Sequence, residues 1–132
     1  MYHSLTIVGN VGKEPEMRYT PSGQAVTSFS VASNREYTAS NGEKAKETVW
    51  FRVSVWGKLA EVCNQYVKKG MLILVEGRLT PDKSTGSPRV YETNGGHGAS
   101  YEVTAQTIRF LSKAGSHEDE SAPSAEEEFP FG

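Results

Sequence analysis

Hydrophobic and polar side chains alternate with a period of two along much of the chain up to residue 111, a pattern typical of β-strands. It predicts strands at residues 5–8, 25–32, 48–56, 71–79 and 101–111. Residues 17–20 are predicted to continue the first strand. Asn41-Gly42, between the second and third strands, indicates a hairpin with a long polar tip. Residues 94–98, Asn-Gly-Gly-His-Gly, are predicted to be a flexible loop before the last strand.

One segment has helical periodicity instead. Its apolar residues recur at i, i+3, i+4, i+7 and i+8, namely Leu59, Val62, Cys63, Tyr66 and Val67. Lys68-Lys69-Gly70 follows, with cations near the negative end of the helix dipole and a glycine in the C′ position. We therefore predict a helix that ends just before Gly70. Cys63 lies within the apolar stripe and is interpreted as a packed core thiol.

The order of elements is three strands, one helix and two further strands. This is the order of the OB-fold, an all-β, five-stranded barrel with one α-helix between strands three and four. Element order alone leaves other small β-barrels open. The strand face and loops of OB-folds commonly bind oligonucleotides and oligosaccharides. We expect one such domain, over residues 1–113.

The third predicted strand has two chemically different faces, because side chains alternate along a strand. One face is aliphatic or aromatic and is expected to be core: Val49, Phe51, Val53 and Val55. The other face carries Trp50, Arg52, Ser54 and Trp56. Bases stack on such rings at ~1–3 kcal/mol per base, and an arginine can pair with phosphate. The alternative is that the hairpin or another subunit covers both indoles.

Other basic and aromatic residues are expected around this face. They are Arg35 at the end of strand two, Tyr37 at the base of the hairpin, Lys58 after strand three and Arg78 in strand four. A single basic residue is most often an ordinary solvated charge. Their occurrence together with an aromatic face favours nucleic-acid binding.

Charge divides the chain into two parts. Residues 1–113 contain all 14 Lys and Arg against 10 Asp and Glu, a formal charge of +4, whereas residues 114–132 contain six acids and no base, −6. The second part is too polar to fold and is predicted to be a disordered acidic tail. Its tip is interpreted as a partner-binding site, because two rings follow a carboxylate run in Glu126-Glu127-Glu128-Phe129-Pro130-Phe131. The alternative is a frayed terminus with a chance aromatic pair.

Patterns for catalysis, cofactors or metals are not found. His3, His97 and His117 are scattered, and no P-loop, nucleophile elbow or zinc-ligand set occurs. The single cysteine excludes an internal disulfide and suits a reducing compartment. No apolar run approaches the ~20 residues of a membrane span, and the N-terminal residues do not resemble a signal peptide. We expect a cytoplasmic protein that is not an enzyme and needs no cofactor, metal or membrane.

Several motifs, in their expected order, resemble the bacterial single-stranded DNA-binding protein (SSB) family. The opening segment Gly-Asn-Val-Gly-Lys-Glu-Pro-Glu-Met-Arg-Tyr, at residues 9–19, is similar to the family's Gly-Asn-Leu-Gly-x-Asp-Pro-Glu-x-Arg-Tyr. The other similar segments are residues 50–53, 56–61, 66–70 and 75–79. The resemblance therefore covers almost the whole chain.

The resemblance implies a homotetramer of OB-folds that wraps single-stranded DNA, with Trp50, Trp56 and Tyr37 at the stacking positions. It also implies that the acidic tip recruits replication, recombination and repair proteins at the nucleoid. This sequence lacks the tryptophan that the family often carries between strands four and five, at about Ser84, and Tyr91 is a candidate substitute. The family usually ends in Pro-Phe, whereas Gly132 follows Phe131 here.

A second hypothesis has a different function. It is a primosome-like OB-fold adaptor whose main role is to hold partner proteins through the tail. Tight binding to oligo(dT) with no sequence preference distinguishes the first hypothesis from the second.

Overall fold

The computed structural model describes residues 1–112. In chain order they form β1 (Leu5–Val11), β2 (Glu16–Tyr19), β3 (Ala25–Thr38), β4 (Lys44–Trp56), α1 (Lys58–Tyr66), β5 (Leu72–Leu79), β6 (Arg89–Thr93) and β7 (Gly96–Phe110). The predicted acidic tail, residues 114–132, lies outside the described residues.

Five of the strands close into a barrel. Their hydrogen-bonded order is β1-β5-β7-β4-β3, and β1 also pairs with β3, which completes the circle. The β4–β7 pair is parallel, and the other neighbours in the barrel are antiparallel. β2 adds to β3, and β6 adds to β7. A closed five-stranded barrel with one helix between its third and fourth strands is the OB-fold that the sequence predicts.

The inward faces of the strands form one aliphatic core. On β4, Val53 and Val55 are fully buried and Phe51 packs against the core, as the alternation predicts. Val49 is only half-buried, because it lies where β4 leaves the barrel. The other members of the core include Phe29, Val31, Ile73, Val75, Val103 and Ile108. The core therefore determines which face of each strand points outward.

α1 covers one end of the barrel with the buried side chains of Ala60 and Cys63. The hydroxyl of Thr27, itself buried, donates to the carbonyl oxygen of Ala60 at 2.6 Å and ties the helix to β3. The helix ends at Tyr66, earlier than predicted, because Val67 takes an extended conformation that buries its side chain. Gly70, the predicted C′ residue, has φ 89° in the turn that follows.

Two predictions, the continuation of the first strand over residues 17–20 and the loop at residues 94–98, are wrong. Residues 16–19 do not continue β1 but form β2, which pairs with β3. The predicted flexible loop at residues 94–98 is a tight hairpin: Asn94-Gly95 forms the turn, and the next three residues begin β7 and pair with β6. An Asn-Gly pair is a strong hairpin signal, and here it stands among further glycines that are typical of flexible loops.

The pairing of β5 with β7 contains a bulge, and the extra residue is on β7. Glu76 pairs with Thr107 and Gly77 with Ala105, so Gln106 is left out of the register. At this bulge the two backbones come very close, since a Cβ on Gly77 would lie 2.1 Å from the carbonyl oxygen of Thr104. Only glycine fits there without a shift of the β5 or β7 backbone.

Gly77→Ala is expected to destabilise the fold by about 3 kcal/mol or more, since the added carbon meets backbone rather than a movable side chain. Urea unfolding followed by circular dichroism measures the change. Gly95→Ala is the matched control, because a Cβ there meets nothing within 4 Å. Equal stability of the two variants would show that the close approach does not persist in solution.

Candidate nucleic-acid interface

The outer face of β4 presents two indoles and an arginine. Trp50 is 54% exposed and Trp56 41%, and the side chain of Arg52 between them is 50% exposed. These residues point outward because Val53 and Val55 fill the core from the same strand. The hairpin of the same chain leaves both rings accessible. Six residues of extended strand set the two indoles about 20 Å apart.

Small residues support the ring of Trp50. Its partner across β3 is Ala32. A Cβ on Gly12 would lie 2.5 Å from Cζ3 of the indole, so the ring rests directly against the backbone at the end of β1. The N–H of Gly12 donates to the carbonyl oxygen of Ser30 at 2.9 Å, which fixes that backbone to β3. The orientation of the indole is thus set by the barrel itself.

Arg52 belongs to a charged cluster on three strands. Its Nε lies 3.9 Å from Oε1 of Glu102 on β7, and Nη1 of Arg89 on β6 lies 3.6 Å from Oε2 of the same carboxylate. The hydroxyl of Ser100 donates to Oε2 at 2.6 Å. Sequence reasoning missed Arg89 and Glu102, because it did not recognise the strand that places Arg89. The Asn-Gly turn is the signal that could have found it.

Tyr91 lies beside this cluster. Its ring rests on Gly98, where a Cβ would lie 2.6 Å from Cε1, and the guanidinium carbon of Arg89 lies 5.7 Å from the ring centroid. An open cleft is lined by Arg52, Arg89, Tyr91 and Ser100. The structure thus brings the candidate Tyr91 close to Arg52.

Ser84, the position of the missing tryptophan, is part of a tight turn. Its backbone N–H and its hydroxyl donate to Oδ1 of Asp82 at 2.9 and 2.6 Å. These hydrogen bonds hold the pKa of Asp82 below its usual range, and the bond from the hydroxyl has the larger effect. Ser84 contributes no ring, and Tyr91 is the aromatic residue of the neighbouring hairpin.

Arg35 and Tyr37 lie on an arm formed by the distal halves of β3 and β4. The guanidinium carbon of Arg35 lies 4.9 Å from the Tyr37 ring centroid, and its Nη1 lies 3.1 Å from Oε2 of Glu47. The β3–β4 register runs without a bulge from Val26 to Thr38. Alternation therefore places Tyr37 on the opposite face of this ribbon from Trp50. The structure does not gather all the predicted stacking rings on one face.

Arg78 and Lys58 flank the outer face of β4 on two sides. Arg78 pairs with Thr104 on β7, which pairs with Ser54 on β4, so the three form a row across the outer sheet face. The row spans two strand spacings, about 10 Å. Lys58 is the exposed first residue of α1, two positions after Trp56. Lys58 thus follows Trp56 closely along the chain, whereas Arg78 lies two strands away from the outer face of β4.

Three further properties of residues 1–112 concern a metal site, a membrane span and the cysteine. No grouping of three or more His, Cys, Asp or Glu that could hold a metal occurs in that range. Its helix is not long and apolar enough to cross a membrane. Burial raises the pKa of the Cys63 thiol to about 12, so it remains protonated at neutral pH.

A comparison with protein families shows to which family this chain belongs. The model of the single-strand binding protein family matches residues 2–111. The chain belongs to this family. Single-stranded DNA-binding proteins similar to it include one from Neisseria meningitidis serogroup A, 34% identical over 109 residues that cover 83% of this chain and 59% of the relative. One from Wolinella succinogenes is 35% identical over 115 residues, which cover 87% and 67%. The chain thus spans less than two thirds of the length of the Neisseria relative.

Solved structures of SSB proteins share the fold. A deletion mutant of the single-stranded DNA-binding protein from Thermus aquaticus superimposes with a TM-score of 0.64 at 30% identity, covering 82% of this chain and 49% of that one. The Plasmodium falciparum SSB in complex with ssDNA gives 0.67 at 23% identity, covering 84% and 96%. The resemblance inferred from the motifs and the predicted OB-fold are both confirmed.

Gly12→Ala is expected to displace the ring of Trp50, because the new methyl group would occupy the position of the indole edge. The change is measured by fluorescence emission and near-ultraviolet circular dichroism in a Trp56→Phe background, where Trp50 is the only tryptophan. The parent with Gly12 is the control. Identical spectra would show that the ring does not rest on Gly12 in solution.

Proposed function

We propose that this chain binds single-stranded DNA without sequence preference. The observation that supports this best is the outer face of β4, where two half-exposed indoles flank a half-exposed arginine on a strand fixed by the core. Membership of the single-strand binding protein family supports the same conclusion, as do relatives that are named for single-stranded DNA binding.

Binding combines stacking with phosphate contacts. Unpaired bases stack on Trp50 and Trp56, each worth ~1–3 kcal/mol, and every base offers the same kind of π-face. Arg52, Lys58 and Arg78 contact phosphates along the strand. A duplex hides its base faces, so it is bound more weakly. The result is a preference for single strands that is nearly independent of sequence.

We further propose the biological role that the family resemblance implies. The protein covers exposed single strands in the cytoplasm, at the nucleoid, during replication, recombination and repair. It acts as a homotetramer, so that several barrels together offer one strand a longer path than one small barrel does. It has no enzymatic activity and needs no cofactor; its function is binding.

Trp50→Ala and Trp56→Ala are each expected to weaken binding to labelled oligo(dT) by ~1–3 kcal/mol, because each removes one stacking surface. Fluorescence anisotropy of the labelled DNA measures the affinity without depending on tryptophan. The slope of log affinity against log salt should stay near the wild-type value, since phosphate contacts remain. Tyr66→Leu is the control: Tyr66 is also 54% exposed, but it lies on α1.

Two outcomes contradict this proposal. The first is equal affinity of the wild-type protein for duplex and single-stranded DNA of the same length. The second is a loss of folding in either tryptophan variant, detected by circular dichroism, since that indole would then be a packing group rather than a binding surface.

Deletion of residues 114–132 is expected to abolish partner recruitment and to leave DNA affinity unchanged or slightly raised. The deletion removes six carboxylates that compete with phosphate for the basic face. Added salt screens this competition. Co-precipitation with a bacterial repair exonuclease or helicase measures recruitment. Phe131→Ala separates the role of the ring from that of Glu126, Glu127 and Glu128. Unchanged recruitment after deletion would contradict the role given to the tip.

A further inference from the structure

Arg52 and Arg89 meet at one carboxylate although they come from different strands. β7 lies between β4 and β6, and its residue Glu102 pairs with Arg52, while its residue Ser100 pairs with Arg89. The two guanidinium groups approach Glu102 at 3.9 and 3.6 Å, one at each carboxylate oxygen. Strand register, not sequence proximity, thus brings two cations to a single cleft.

The Glu102 carboxylate accepts its hydrogen bond from Ser100 and not from the two arginines that it attracts. The side chain of Glu102 is only 14% exposed, and its short hydrogen bond, 2.6 Å, comes from the Ser100 hydroxyl. Both arginine distances exceed the ~2.7–2.9 Å of a charge-assisted hydrogen bond. The side chains of Arg52 and Arg89 are 50% and 54% exposed. Their N–H donors are therefore not consumed by Glu102 and remain accessible to a ligand.

The charges in the cleft leave it attractive to one more anion. Two guanidinium groups and one carboxylate carry a net charge of about +1. Guanidinium groups are planar forks that match the geometry of phosphate oxygens. The ring of Tyr91 lies under Arg89 at 5.7 Å and limits its movement on the other side. The cleft lined by Arg52, Arg89, Tyr91 and Ser100 is open to solvent, so a strand can reach it.

We propose that Arg52 and Arg89 form a paired site for one backbone phosphate, and that Glu102 is the positioning residue that holds the two guanidinium groups together. Without the carboxylate the two cations repel each other and separate. The site deepens the proposed function and rests on it, since the phosphate is taken to belong to a DNA strand. It adds Arg89 and Glu102, neither of which the sequence indicated, to the binding face.

Glu102→Gln tests this role because position and charge predict opposite results. The substitution makes the face more positive, so charge alone predicts tighter binding to oligo(dT). Loss of the positioned pair removes a charged hydrogen bond from an arginine to the phosphate, and this predicts binding that is weaker by roughly tenfold. The salt slope should also fall by ~0.7, the value for one phosphate contact. We expect the weaker binding and the smaller slope.

Glu92→Gln is the matched control. Glu92 is an exposed carboxylate on β6, one residue from Tyr91 and opposite His97, and its substitution changes the net charge by the same amount. Its affinity should be unchanged or slightly higher, with the wild-type salt slope. A drop in affinity equal to that of Glu102→Gln would overturn the proposal, because a general effect of charge or of the hairpin would then account for both.

Two further variants keep the test independent of folding. Arg89→Lys retains the charge but not the fork, and it should weaken binding as Glu102→Gln does. The two together should cost less than their sum, since both damage one site. If Glu102→Gln does not fold, Ser100→Ala, which removes the hydroxyl that holds the carboxylate, should weaken binding in the same direction. Wild-type affinity in both Arg89→Lys and Ser100→Ala would overturn the proposal.

A DNA-free measurement separates this site from the proposed function. Inorganic pyrophosphate is added to the full chain, and the side-chain Nε–Hε signals of Arg52 and Arg89 are followed by nuclear magnetic resonance. Shifts of both signals without any binding of oligo(dT) would support the paired site and refute the DNA-binding function. Binding of oligo(dT) with equal or tighter affinity in Glu102→Gln would refute the paired site and leave the function intact. No shift and no oligo(dT) binding would refute both.

Discussion

Closure of the barrel is the constraint on which the other features depend. β1 pairs with β5 and with β3, and β5 pairs with β7 across a bulge at Gln106 of β7. Both joins need close backbone contact: a Cβ would lie 2.2 Å from a carbonyl oxygen at Gly9 and 2.1 Å at Gly77. Once the circle is closed, each strand has an inner and an outer face within the barrel. The burial of Val53 and Val55 then leaves Arg52 and the two indoles no position except the surface.

The sequence predicts strands and their faces most reliably where burial in the core decides the structure. The strands at residues 48–56 and 71–79 and the face assignment on β4 are all found, because a run of alternating aliphatic residues has one way to avoid water. The sequence places the end of α1 too late and does not indicate the β6–β7 hairpin. No side chain of β6 is buried, so this strand leaves no hydrophobic pattern to detect, only the turn at Asn94-Gly95. Arg89, which lies on this strand, was missed for the same reason, whereas Arg52 on β4 was predicted.

The arm illustrates what alternation predicts when the register is known. Tyr37 was expected to add a third ring near the indoles. Trp50 pairs with Ala32, and Tyr37 lies five residues beyond Ala32 on a ribbon without a bulge, so its side chain is on the other face from Trp50. Beyond the barrel, no core distinguishes the two faces of this ribbon. The role of Tyr37 in stacking stays a prediction. A DNA strand that contacts both Tyr37 and Trp50 must pass around the ribbon edge or reach the arm of another subunit.

The same three chemical groups occur twice, with different physical consequences. On the arm, Glu47 pairs with Arg35 beside Tyr37; in the cleft, Glu102 pairs with Arg89 beside Tyr91. Glu47 is 48% exposed, so water and salt screen its pair, which contributes little. Glu102 is 14% exposed and attracts two arginines rather than one. The lower exposure strengthens each interaction, and the second arginine leaves a net positive charge. The cleft, and not the arm, therefore has the net positive charge that the proposed phosphate site requires.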